Sequence, residues 1–222
     1  MRVPILHFSD VLCVYAYLAQ VRIDELNKTF GAQIELDFHF CQVFGDTRLK
    51  IESGWADRGG LAGYNRHVLG VASRFEHARL HPELWTKNPP TGSLSPHLFI
   101  KAVAELEALE LVPRNSSEAM AWAVRRAFFE EARDISDRAE QLRLAEAQSI
   151  ERALLERVDS SGRAHAALAR DLDLARKYEV SLSPTLIFNE GRQRLNGNVG
   201  FRIIEANVRE LLREPQHEAS WC

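Results

Sequence analysis

The sequence predicts an α/β fold with an all-helical insertion, and three observations along its 222 residues predict that class. The chain opens with a strand, helix, strand pattern, loses all strand patterns in its middle, and returns to mixed helix and strand patterns after about residue 162. With 45% hydrophobic and 27% charged residues, the chain can bury a substantial core.

The opening unit begins with the short apolar segment 2–9, RVPILHFS, which predicts a buried strand. The segment that starts at Cys13 carries apolar residues at helical spacing and stops at Gly31, a residue that favours helix ends. Segment 33–41, QIELDFHFC, alternates apolar and polar residues and predicts the second strand.

The middle of the chain, from about residue 60 to 160, is dominated by Ala, Leu, Glu and Arg, which favour helices. Ser95 followed by Pro96 predicts the N-cap and first turn of one of these helices. This stretch is therefore predicted to be a block of helices.

The last part of the chain predicts a helix over RAHAALARDLDLARKYEV, a strand over TLIF, a turn at NEG, a strand over RQRLNG and a final helix over FRIIEANVRELLRE. We therefore divide the chain into two domains. Residues 1–56 and 163–222 form a discontinuous α/β domain, and residues 57–162 form the helical insertion.

Composition excludes several classes of function. A net charge of −3 gives no basic field for nucleic acid. No apolar run is long enough for a transmembrane helix, and the N-terminus lacks the pattern of a signal peptide, so we expect a cytoplasmic protein without a membrane partner. The eight histidines show no metal-ligand spacing, and no metal site is predicted.

The cysteines are Cys13, Cys41 and Cys222, an odd number at wide spacings. This pattern disfavours both a disulfide framework and a C-x-x-C zinc site. Any redox function must therefore depend on individual thiols.

Cys13 lies where the first strand gives way to the first helix, at the sheet edge where ligands bind in α/β units. The free N–H groups and the positive end of the helix dipole predict a lowered thiol pKa there. The alternative is that Cys13 is only a small apolar residue in the first turn. Far along the chain, Pro184 follows Ser183 at the start of TLIF, where either a cis or an ordinary trans peptide bond fits.

The segments SDVLCVYAYLA, SPTLIF and NGNVGFRIIEANVRELL together resemble the DsbA-like branch of the thioredoxin superfamily. That branch includes the kappa-class glutathione transferases and the 2-hydroxychromene-2-carboxylate isomerases. The resemblance spans nearly the whole chain. It implies a thioredoxin-like fold with an inserted helical domain and a cis bond before Pro184.

The two kinds of member differ at the start of the first helix, where the thiol–disulfide enzymes carry C-P-x-C and the transferases and isomerases carry S-P-Y-S. Here the four positions are Cys13, Val14, Tyr15 and Ala16. The resemblance implies that Cys13 is the nucleophile. Because Ala16 replaces the resolving cysteine, a mixed disulfide on Cys13 must await an outside thiol, for which glutathione is the expected cosubstrate.

The resemblance also implies a groove beside Cys13 that binds glutathione or a substrate segment. The candidate binding residues are Tyr15, Ala16, Tyr17, Ser183, Pro184 and Asn88. The expected partner is a small-molecule thiol or a protein disulfide, and the sequence is also compatible with a homodimer. Cys41, at the end of the second strand, is a less favoured alternative as the resolving thiol, and Cys222 on the C-terminal tail is interpreted as incidental.

Three functions are compatible with these residues. The first is a thiol–disulfide oxidoreductase that uses one catalytic cysteine and glutathione. The second is a glutathione-dependent transferase or isomerase, which the tyrosines Tyr15 and Tyr17 favour. The third is a binding or regulatory protein that has kept the fold without turnover, for which Val14 and Ala16 are the reason.

Overall fold

The structure, a computed structural model, describes residues 2–213, and Cys222 lies outside them. The strands are β1 (Val3–Ser9), β2 (Ile34–Phe40), β3 (Thr185–Phe188) and β4 (Gln193–Asn196). The helices are α1 (Val14–Phe30), α2 (Gly60–Ala72), α3 (Leu94–Ala108), α4 (Ser116–Phe129), α5 (Arg138–Ala147), α6 (Arg152–Ser161), α7 (Arg163–Lys177) and α8 (Phe201–Arg213).

The four strands form one mixed sheet in the order β2-β1-β3-β4. Strands β1 and β2 are parallel and pair from Val3 with Ile34 to Ser9 with Phe40, and α1 makes the crossover that a parallel pair requires. Strand β3 pairs antiparallel with both β1 and β4. Because β1 lies between β2 and β3, residues from both of these strands lie beside its carboxyl end at Ser9.

Helices cover both faces of the sheet. Successive residues of β1 point to opposite sides, so β1 contributes side chains to the packing on each face. On one face Ile5 packs in a cluster with Leu26 of α1 and Val208 of α8. On the other face Phe8 packs in a cluster with Ala175 of α7. The predicted α/β class is confirmed by these layers.

The chain between β2 and α7 carries only helices and turns, as the composition predicts. Its core contains the fully buried side chains of Trp85, Phe99 and Phe128, which belong to the same apolar cluster as Leu18 of α1. The insertion is therefore packed against the start of α1. Among the described helices, none combines the length and the apolar character needed to cross a membrane.

The start of α3 differs from the sequence prediction. The helix begins at Leu94 with Ser93 as its N-cap, so the prediction that Ser95 is the cap is wrong by two residues. The Ser95 hydroxyl donates instead to the carbonyl of Ser136 (3.1 Å), and the Ser93 hydroxyl donates to the carboxylate of Asp10 (2.7 Å). Partners in distant segments decide the role of each serine here.

Candidate active site

Cys13 is the N-cap residue of α1, as its place in the sequence predicts. A tight turn joins it to the end of β1, because its backbone N–H donates to the carbonyl of Asp10 (3.1 Å). Its own carbonyl accepts the first helical hydrogen bond, from Tyr17 N (3.0 Å). The thiol is therefore fixed at the carboxyl edge of the sheet, over the first turn of α1.

The Cys13 thiol lies against the segment that precedes β3. Its sulfur donates to the carbonyl oxygen of Ser183 at 3.1 Å, and the bond between Ser183 and Pro184 is cis. The Ser183 hydroxyl accepts from Asp10 N (2.9 Å), which ties this segment to the end of β1. Cys13 thus meets Ser183 and Pro184, two predicted site residues that lie about 170 positions further along the sequence.

The predicted lowering of the Cys13 pKa is wrong. Burial raises the pKa of this thiol, since only 6% of the residue is exposed, and the nearby Asp10 carboxylate adds to the rise. The N–H groups of Ala16 and Tyr15 act in the opposite direction, but none makes a full capping hydrogen bond to the sulfur. Loss of solvent therefore outweighs the favourable field of the helix N-terminus.

Asp10, which the sequence analysis did not single out, organises the site. Its fully buried carboxylate accepts hydrogen bonds from Leu12 N (2.9 Å), Val43 N (2.9 Å) and Phe44 N (2.8 Å), as well as from the Ser93 hydroxyl. An acidic residue directly after an apolar strand is the sequence signal that could have identified it, since such a carboxylate must find donors if it is buried.

His97 contributes to the same framework from α3. Its Nε2 accepts from Val11 N (3.1 Å), and its ring stacks on Phe40 with 4.2 Å between the ring centroids. Burial lowers the pKa of His97 to about 4, which keeps the ring neutral and able to accept this hydrogen bond. The side chain is fully buried and supports the turn before Cys13.

The three predicted residues after Cys13 have different surroundings. Tyr15 is 37% exposed beside the thiol, whereas Ala16 is buried. Tyr17 is held by the helical insertion, where its hydroxyl lies 3.0 Å from Glu130 Oε1 and its ring stacks on Phe129. Burial and the Glu130 carboxylate raise the pKa of Tyr17 to about 12. Its hydroxyl is therefore occupied in packing α1 against α4.

Asn88 and Tyr64 belong to the helical insertion and differ in their relation to Cys13. The exposed Asn88 donates its side-chain N–H to the carbonyl of Ala132 (3.1 Å), and within residues 2–213 no hydrogen bond joins it to Cys13. Burial raises the pKa of the Tyr64 hydroxyl, and the acidic groups of Cys13 and Asp10 add to the rise. Tyr64 on α2, which the sequence analysis missed, thus interacts electrostatically with the acidic groups of the site.

Cys41 follows β2 and is a second free, buried thiol in this region. Its backbone N–H donates to the carbonyl of Ser9 (3.2 Å), which extends the pairing of β1 with β2 by one residue. Its sulfur lies 3.9 Å from the carbonyl oxygen of Leu182, next to the carbonyl that binds Cys13. Within the described part of the chain, no group of three or more acidic, histidine or cysteine side chains could hold a metal ion.

Comparison with known proteins identifies the architecture. A family model described as a DSBA-like thioredoxin domain matches residues 4–208. No curated protein matches the chain closely enough to count as a relative.

Several solved structures share the fold. The cytosolic disulfide reductase DsbM from Pseudomonas aeruginosa with GSH has a TM-score of 0.67 and 19% identity, with 93% of this chain and all of that chain (100%) covered. A probable DsbA oxidoreductase from Streptomyces coelicolor has a TM-score of 0.72 and 15% identity, with coverages of 100% and 93%. A 2-hydroxychromene-2-carboxylate isomerase has a TM-score of 0.64 and 16% identity, with coverages of 98% and 100%. At these identities the similarity establishes a thioredoxin-like fold and nothing finer.

Proposed function

Because the chain belongs to the family of DSBA-like thioredoxin domains, we propose that it is a thiol–disulfide oxidoreductase in which Cys13 is the attacking thiol and glutathione is the cosubstrate. The observation that carries this proposal is the contact of the Cys13 sulfur with the Ser183 carbonyl, 3.1 Å away and next to the cis bond of Pro184. The proposal is supported by this position of the thiol, beside a backbone segment that precedes a strand and could pair with a peptide-like ligand.

The chemistry requires only thiol exchange. The Cys13 thiolate attacks one sulfur of a disulfide, the Cys13–sulfur bond forms as the substrate S–S bond breaks, and the departing thiolate takes up a proton. Because Ala16 offers no second thiol, a glutathione thiolate attacks the substrate sulfur of the mixed disulfide, which releases Cys13 in its reduced form and a mixed disulfide of glutathione and substrate. A second glutathione thiolate attacks the glutathione sulfur of that product and releases the substrate thiolate, which takes up a proton. Two molecules of glutathione thus reduce one disulfide and leave as oxidised glutathione.

Two exposed apolar side chains flank the buried sulfur. Tyr15 is 37% exposed and Leu182 is 52% exposed, and each lies within two residues of the Cys13 and Ser183 contact. We propose that a ligand approaches the thiol between them. The similarity to the cytosolic reductase DsbM supports both the disulfide chemistry and a cytosolic setting.

Cys13→Ser tests the proposal. The variant should lose at least 100-fold of the glutathione-dependent reduction of bis(2-hydroxyethyl) disulfide, because a hydroxyl does not exchange with disulfides. Cys222→Ser is the matched control and should keep the activity of the unmodified protein. Full activity in Cys13→Ser would contradict the proposal.

A second candidate, a glutathione-dependent transferase or isomerase, is favoured by one specific observation. Burial raises the pKa of Cys13, so the group is a neutral hydrogen-bond donor. A neutral thiol could donate to the sulfur of bound glutathione, at the position where the resemblance gives those members a serine. Glutathione conjugation of 1-chloro-2,4-dinitrobenzene that persists in Cys13→Ser, without disulfide exchange, would identify this function instead.

A further inference from the structure

Cys13 and Cys41 are 28 positions apart in the sequence, but their backbone N–H groups bind successive carbonyls at the end of β1. Cys41 N donates to the Ser9 carbonyl (3.2 Å), and Cys13 N donates to the Asp10 carbonyl (3.1 Å). Neighbouring strands lie about 4.8 Å apart, and the ends of a tight turn lie less than about 7 Å apart. Both backbone segments are thus brought toward the separation of about 4.4–6.8 Å between Cα atoms that a disulfide needs.

The sulfurs of these cysteines also contact the same backbone segment. The Cys13 sulfur contacts the carbonyl of Ser183 at 3.1 Å, and the Cys41 sulfur lies 3.9 Å from the carbonyl of Leu182, one residue earlier. Burial dominates the pKa of both thiols and raises it, but the hydroxyl of Ser183 interacts with both and lowers each. The two sulfurs thus lie against successive carbonyls of the segment before β3.

From these contacts with one segment before β3 and with the end of β1, we propose that Cys41 is a resolving thiol for Cys13, in a dithiol pair that lies at the ends of two neighbouring strands. The inference rests on the proposed function. After Cys13 attacks oxidised glutathione and becomes glutathionylated, Cys41 attacks the Cys13 sulfur. The Cys13–Cys41 bond forms, the bond to glutathione breaks, and glutathione leaves with the proton that Cys41 gives up. One oxidised glutathione is thereby reduced to two molecules of glutathione, and the protein carries the disulfide.

The surroundings of the pair hold both thiols in their protonated form. Both residues are buried, with 6% of Cys13 and 1% of Cys41 exposed, and the carboxylate of Asp10 lies close enough to oppose ionisation of either thiol. Cys41 must therefore lose its proton as it attacks, and the ratio of oxidised to reduced glutathione sets the direction of the step. The pair complements exchange with outside glutathione: Cys41 acts when oxidised glutathione is in excess, and outside glutathione reverses the step.

The test compares the protein with Cys41→Ser and Cys41→Ala, all in a Cys222→Ser background that removes the third thiol. Each is incubated with oxidised glutathione, and separately with diamide, and is analysed by intact mass and non-reducing peptide mapping. We expect the parent to lose two hydrogens and to yield a Cys13–Cys41 cross-linked peptide with either oxidant. Both Cys41 variants should instead accumulate Cys13 glutathionylation, at least tenfold above the parent, and circular dichroism verifies their folding.

The outcomes separate the two proposals. Equal glutathionylation of Cys13 in parent and variants, with no cross-linked peptide from either oxidant, would overturn the role of Cys41 and leave the proposed function standing. A cross-linked peptide with diamide but no reaction with oxidised glutathione would support the pair and overturn its link to glutathione. No modification of Cys13 under either condition would overturn both.

Discussion

At the scale of single residues, Cys13 shows how burial can reverse a local electrostatic preference. A cysteine at a helix N-terminus ordinarily has a lowered pKa. Here almost no water reaches the sulfur, and its hydrogen is donated to the carbonyl of Ser183, an acceptor that favours the protonated thiol. Any reaction of Cys13 that needs its thiolate is therefore limited by the small thiolate fraction.

The pH dependence of Cys13 alkylation follows from this pKa direction. Because the thiol pKa is raised, the rate of carbamidomethylation by iodoacetamide should keep increasing above pH 9, where the thiol of free glutathione approaches its plateau. The measurement is peptide mass spectrometry after timed labelling, with free glutathione as the reference thiol. A plateau of the Cys13 rate below pH 8 would contradict the prediction, and the shape of the profile separates ionisation from slow access.

At the scale of elements, one carboxylate joins the pieces that build the site. Asp10, at the end of β1, accepts from the first turn before α1, from the segment after β2, and from Ser93 at the start of α3. The backbone of Asp10 also donates to the hydroxyl of Ser183 before β3. The position of Cys13 therefore depends on the buried side chain of Asp10.

Substitution of Asp10 by alanine should remove these links. Because several buried donors would lose their acceptor, we expect Asp10→Ala to lower the free energy of unfolding by at least about 3 kcal/mol. Ser93→Ala removes one of the same hydrogen bonds and should cost about 1 kcal/mol. Urea denaturation at pH 7 measures both, and equal losses in the two variants would show that Asp10 does not act as a hub.

At the scale of the whole molecule, the sheet and the helical insertion share an apolar core. Leu12 and Leu18 at the start of α1 belong to the cluster that contains Trp85 and Phe128 of the insertion. Two neutral histidines, His7 in β1 and His97 in α3, lie fully inside this body. Because both rings are buried only in the folded protein, their protonation is linked to the free energy of unfolding of the whole protein.

The stability of the protein should fall on mild acidification. Burial lowers the pKa of His7 to about 3 and that of His97 to about 4, whereas both take up protons near pH 6.5 when the chain is unfolded. The unfolded state then binds more protons, so the free energy of unfolding decreases as the pH falls from about 6.5 to 4. His39 affects stability in a different pH range. Burial alone would lower its pKa, but Asp171 and Asp37 raise it to about 9, so its contribution to the free energy of unfolding is complete below about pH 6.5 and is lost as the pH rises to about 9.

Urea denaturation at pH 7 and pH 5 measures this effect. His7→Phe should reduce the loss of stability between the two pH values, since one of the two buried neutral rings is removed. His165→Gln is the control at an exposed position and should leave the loss unchanged. An identical loss in His7→Phe and the unmodified protein would contradict a neutral buried His7.

The sequence by itself determined the α/β class, the helical insertion and the place of Cys13 at the start of α1. These follow from local periodicity, turn residues and the motif around Cys13, all of which are contained in short segments. The resemblance of SPTLIF to the family also indicated the cis bond before Pro184, which the structure contains. The boundaries of the two domains stay a prediction.

Only the tertiary structure decided the chemistry of the site. It raised the pKa of Cys13, gave the Tyr17 hydroxyl its partner Glu130, and supplied the buried donors that Asp10 binds. It also brought Cys41 to the segment that holds Cys13. The physical reason is that hydration and hydrogen bonding of a buried side chain depend on segments far away in the sequence, whereas local patterns specify only the element on which that side chain lies.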